Sequence, residues 1–129
     1  MTAGNLTLPD LTRDEQLALG GLIRLMIRAD GVFSAEEEER VDAIGEELGS
    51  RELIWQMISD SAQVFRNDAE LRRAGAAIGR VEARELILGI LTSVAIADTV
   101  SPGEMGLLDA LRAAWGIVDR DGPLEEDDD

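Results

Sequence analysis

Apolar residues recur at helical spacing along most of the chain. Leu19, Leu22, Ile23, Met26 and Ile27 form one stripe. Val41, Ile44 and Leu48 form a second, with Gly49 placed to close it as a C-terminal cap. Leu53, Ile54, Met57, Ile58 and Phe65 make a third, and Leu71 and Ile78 mark a short, Ala-rich fourth. Leu86, Ile87, Ile90, Leu91 and Val94 make a fifth, and Leu108, Leu111 and Trp115 a sixth. No stretch alternates with period two for long enough to make a strand. The pattern predicts an all-α chain of about six helices.

Polar residues punctuate these stripes. Thr12-Arg13-Asp14-Glu15 is a capping box, in which Thr accepts the third helical N–H and Glu reaches back to the cap's own N–H. Ser34 to Glu37, Asn67 to Glu70 and Ser101 to Glu104 repeat the pattern. Pro102 sits at a first helical position, where its missing N–H costs nothing, and Val100 and Met105 are spaced as a hydrophobic staple. Residues 1–10 lack periodicity and are set apart as an N-terminal extension, leaving 11–118 as the helical domain. Residues 119–129 end in Glu125-Glu126-Asp127-Asp128-Asp129, and such a run of like charges predicts a disordered acidic tail.

The stripes also repeat. A displacement of 68 residues lays Leu19 on Ile87, Leu22 on Ile90, Ile23 on Leu91, Met26 on Val94 and Ala29-Asp30 on Ala97-Asp98. One residue is then lost, and a displacement of 67 lays Ser34 on Ser101, Glu37 on Glu104, Val41 on Leu108, Ile44 on Leu111, Leu48 on Trp115 and Gly49 on Gly116. This reads as two helix–loop–helix units related by a pseudo-two-fold axis. Gly21 falls on Gly89, each inside a helix where glycine costs about 1 kcal/mol relative to alanine. The expectation is that these two helices cross backbone to backbone at the two glycines.

Composition narrows the chemistry. With 129 residues, 45% of them hydrophobic and 30% charged, the chain suits one globular domain. It holds no Cys, His or Tyr, so disulfides, thiolate zinc sites, cysteine nucleophiles, imidazole bases and His-ligated metals are excluded. A net charge of −15, with every one of the 12 basic residues an arginine, argues against nucleic acid and anionic lipid and for cations or basic protein surfaces as partners. No nucleophile stands beside a recognisable base, so no enzyme is expected. Asp60-Ser61 is the only Asp-Ser pair that a phosphopantetheine carrier could use, and it lies late in a helical stripe. The least polar stretch, Leu86 to Ala97, is too short to span a bilayer, and the N-terminus carries no targeting pattern. A soluble cytoplasmic protein is expected. Trp115 reads as core, Trp55 as either core or a surface anchor for a protein partner, and Arg72-Arg73 as a solvated helix face.

The two repeated junctions read Ala29-Asp30-Gly31-Val32-Phe33-Ser34-Ala35-Glu36-Glu37 and Ala97-Asp98-Thr99-Val100-Ser101-Pro102-Gly103-Glu104. Each sets an Asp at the end of one helix and a Glu in the first turn of the next. Paired carboxylates with backbone carbonyls suit hard cations such as Ca²⁺ or Mg²⁺. The same acids are equally explained as helix caps and turn residues, favourable without any metal. The spacing is not that of an EF-hand.

Ala29-Asp30-Gly31-x-x-Ser34-x-x-Glu37, preceded by an apolar helix and echoed near the C-terminus, resembles the TerB-like tellurite-resistance domains over roughly residues 12–118. In the echo Thr99 replaces the glycine and one residue is missing. The resemblance implies an all-helical, non-enzymatic, cytoplasmic stress-response module of bacterial type. It also implies divalent-cation binding through Asp30, Glu37, Asp98 and Glu104, and membrane-associated protein partners without insertion into the membrane. The alternative is a metal-independent protein-interaction domain whose loop acids only cap helices. Oligomeric state is not legible.

Overall fold

The computed structural model describes residues 6–30, 34–96 and 102–116, apart from the side chains of residues 29, 30 and 102–104. Its regular structure is entirely helical among the described residues, in six α-helices as the stripes predict. These are α1 (Arg13–Asp30), α2 (Ala35–Leu48), α3 (Arg51–Val64), α4 (Asp68–Ala76), α5 (Val81–Ala95) and α6 (Pro102–Trp115), preceded by a 3-10 turn at Leu8–Asp10. No described helix is long and apolar enough to cross a membrane. The acidic run at 125–129, Ser101, Val100 and Asp98 lie outside the described residues.

Helix α1 is the hub, packing against α3, α4, α5 and α6. Its stripe is the reason: Leu19, Leu22, Ile23 and Met26 are all fully buried. Around it, Ile54 and Met57 of α3, Leu71 of α4, Ile87 and Leu91 of α5 and Leu108 and Leu111 of α6 complete one continuous core. Removing this apolar area from water is the main force holding the bundle together.

Three long-range arginine contacts fix the helix directions. Arg80, at the cap of α5, donates to Glu15 in the first turn of α1, so α1 and α5 start at the same end. Arg40 of α2 donates to Ser93 in the last turn of α5 at 2.7 Å, so α2 runs back along α5. Arg84 near the start of α5 donates to the carbonyl of Trp115 at the end of α6, so α6 is antiparallel to α5.

The described caps follow the sequence, with differences at Glu70, Thr7 and Ser50. Thr12 and Glu15 form the reciprocal box, at 3.1 and 2.8 Å, and so do Ser34 and Glu37, at 3.1 Å each way. Asn67 does cap α4, but Glu70 turns its carboxylate to the backbone N–H and side chain of Arg66 instead of to Asn67. A further box, Thr7 with Asp10, closes the 3-10 turn and sets Leu8 fully inside the core. The segment read as an N-terminal extension therefore packs against the bundle from Leu6 onward.

The glycine expectation is overturned. The Cβ that Gly21 lacks would point at Leu71 Cδ1 of α4, 2.5 Å away, and Gly89 has nothing within 4 Å. Neither glycine marks an α1–α5 crossing. The close backbone approach is made one residue earlier, where Gly20 lies directly against the Met57 carbonyl of α3. Gly49 does stand at the end of α2, whereas the left-handed conformation that favours glycine occurs at Gly116, at φ 70°.

Candidate functional site

The helix directions gather one set of ends. The C-termini of α1 and α5 and the N-termini of α2 and α6 lie at the same end of the bundle, because Arg40 of α2 reaches Ser93 of α5 and α6 returns antiparallel. The helix ends that flank both acidic junctions therefore belong to that end. Asp30 is the last residue of α1, Glu37 the third residue of α2, and Glu104 the third residue of α6. Asp98 and the side chains of Asp30 and Glu104 lie outside the described residues.

Glu37 is the one candidate ligand whose side chain is described, and it is fully buried. Its Oε1 accepts the Ser34 N–H at 3.1 Å, and its own N–H donates to Ser34 Oγ. A carboxylate at a helix N-terminus is favoured by the unpaired N–H groups there. Sequence reasoning placed this cap correctly but gave no sign of its burial, since a glutamate in a first turn is ordinarily solvated. Among the described residues no group of three or more acidic side chains is placed to hold a metal ion.

The opposite end is tied by charge. Arg80 grips Glu15 through Nε at 2.9 Å and Nη2 at 2.6 Å, and Nη2 also donates to the Asp10 carbonyl at 3.2 Å. The Arg80 guanidinium, with the Thr12 N–H, holds the buried Glu15 carboxyl below the ordinary 4.5. This lowered value stabilises the fold fully above about pH 4.5, and the contribution is lost as the pH falls through the folded-state value. Glu15→Gln should lower stability by about 1–2 kcal/mol at pH 7. The deficit should shrink at pH 3, and melts of both proteins at the two values check this. An equal deficit at both would mean that the charge contributes nothing.

The remaining candidates resolve individually. Trp115 is core, with Nε1 donating to the Gly75 carbonyl at 2.9 Å. Trp55 is half-buried against the core and donates to Asp42 at 2.6 Å, so it is no bare anchor. Arg72 and Arg73 are exposed on α4, as expected. Ser61 is fully buried, its hydroxyl donating to the Ile58 carbonyl at 2.7 Å and accepting from Arg24. A hydroxyl so enclosed cannot present a carrier arm.

Among the described residues, two surface clefts stand out. One of roughly 350 Å³ is bordered by Asp14, Glu15, Phe65 and Ile78 at the Arg80 end. The other, roughly 310 Å³, is a groove between α2 and α5 that sequence reasoning did not anticipate. Compared with protein-family models, curated proteins and solved structures, the chain matches none.

Proposed function

We propose that the chain is a non-enzymatic binding module of the TerB-like type. In this reading its two acidic junctions hold a divalent cation, Ca²⁺ or Mg²⁺, and the domain engages a protein partner. The observation that carries the reading is the gathering of the helix ends that bear Asp30, Glu37 and Glu104 at one end of the bundle. Carboxylates from two junctions, with backbone carbonyls at two helix C-termini, are a hard-cation donor set. The junction that contains Asp98 would complete it.

We also read the chain as an internal duplication. Its support is positional: Leu19 and Ile87, Ile23 and Leu91, and Met26 and Val94 are pairs of fully buried residues. The parallel course of α1 and α5 suits a two-fold axis along the bundle. Leu22 and Leu111 meet at Gly75, and their counterparts Ile90 and Ile44 border one groove.

The second reading, a metal-independent interaction domain, is favoured by the capping role of Glu37, whose Oε1 already serves Ser34. A melt of metal-stripped protein with Ca²⁺, Mg²⁺ and Mn²⁺ added separately separates the two. A cation at 100 times its dissociation constant should add about 2.7 kcal/mol, lost in Asp30→Asn and Asp98→Asn. A flat melt at millimolar cation would leave the acids as caps.

A further inference from the structure

The groove between α2 and α5 has a filled counterpart in the same molecule. On the duplication proposed above, on which this inference rests, Gly89, Ile90, Ile44 and Leu48 correspond to Gly21, Leu22, Leu111 and Trp115. Around the second set the space is taken by α4. Leu71 seats in the notch left by Gly21, and Gly75, four residues on, lies where its missing Cβ would meet Leu22 at 3.4 Å and Leu111 at 3.6 Å. The Gly75 carbonyl then accepts the Trp115 indole N–H. Around the first set no helix lies among the described residues. Gly89 faces open space, and Ile44 and Ile90 line the floor of the groove.

The two cradles differ in charge. Glu85 and Glu47, both exposed on the open groove, stand where the filled cradle has Leu17 and Ala114. An apolar floor with an acidic rim selects a basic amphipathic occupant. The lining on α5 runs from Glu85 to Ser93, about 12 Å of helix rise, which matches a helix the length of α4. The chain's own residues 125–129 are all acidic and would be repelled by Glu47 and Glu85.

We propose that this groove docks a short basic amphipathic helix of a partner protein in the manner of α4. A leucine enters the Gly89 notch, a small residue four positions later lies between Ile44 and Ile90, and arginines or lysines face Glu47 and Glu85.

The α4 segment itself is a suitable probe: residues 66–80 carry four arginines against one Asp and one Glu. A fluorescein-labelled peptide of that sequence, titrated with the whole protein in chelator and followed by anisotropy, should bind saturably. Binding should weaken about tenfold or more with Gly89→Leu, which fills open space and whose fold a melt verifies. It should weaken comparably with Leu71→Ala in the peptide, and again with Glu47→Arg/Glu85→Arg. No saturation up to about 1 mM protein, or equal affinity for Gly89→Leu, would overturn the proposal. Binding lost with Gly89→Leu but indifferent to the peptide's Leu71→Ala would overturn the α4-like mode and the duplication behind it. The chelator keeps every outcome independent of the cation reading.

Discussion

Gly20→Ala is expected to cost about 3 kcal/mol or more, a fall in Tm of roughly 10 °C or more. The reason is the α1–α3 crossing. A methyl group on Gly20 would overlap the Met57 carbonyl and stand 2.8 Å from the Ile58 nitrogen, and both obstacles are backbone. A side chain in the way can change rotamer, but a helix backbone can only move as a whole. Opening this crossing would loosen Ile23, Ile54 and Met57, all fully buried. Gly89→Ala is the matched comparison, with the same substitution inside a helix and nothing within 4 Å. Free of any clash, it should gain up to about 1 kcal/mol from helix propensity. Melting the two variants beside the parent checks both signs. A near-neutral Gly20→Ala would mean that α1 and α3 do not touch there.

The same glycines mark where the sequence stops being informative. Stripes such as Leu19, Leu22, Ile23 and Met26 were legible because an amphipathic helix must bury its apolar face, whatever it packs against. The stripe does not say which neighbour covers which edge of the helix. Gly20 and Gly21 lie about 100° apart around α1, so one meets the α3 backbone and the other a leucine of α4. Internal correspondence singled out Gly21 and Gly89, whereas the constraint falls on Gly20, whose counterpart at position 88 is a leucine. Backbone approach is a property of the pair of helices and leaves no signature on one of them.

The candidate site was legible to a similar depth. The Ser34–Glu37 box could be placed from spacing, because capping chemistry is local. The Thr7–Asp10 box, formed over a 3-10 turn, and the Ser50 cap of α3 were missed for lack of a flanking stripe or a Glu at the third position. The full burial of Glu37 depends on tertiary packing and had no local sign. Nor did the α2–α5 groove. Among the described residues it lacks the helix that α4 supplies to the corresponding α1–α6 cradle, and only a comparison of the two cradles in three dimensions brings it out.

Trp115→Ala should be the most damaging single truncation of a side chain, costing about 3–5 kcal/mol. The indole is 6% exposed at the end of α6, donates to the Gly75 carbonyl at 2.9 Å, and lies under the Arg84 guanidinium at 5.9 Å from its centroid. Removing it leaves a cavity, an unpaired carbonyl on α4 and an arginine without its ring. Trp115→Phe separates these parts. It keeps most of the apolar volume and a ring for Arg84 but loses the indole N–H, so it should cost about 1–2 kcal/mol. Helices α1, α4 and α6 all bear on this residue, directly or through Gly75, Leu22 and Leu111, so the loss should appear as one cooperative fall in Tm. Were Trp115 an exposed partner anchor, Ala would leave the melt nearly unchanged and weaken only an interaction. A loss below about 1 kcal/mol would therefore return the indole to the surface and remove the pin between α4 and α6.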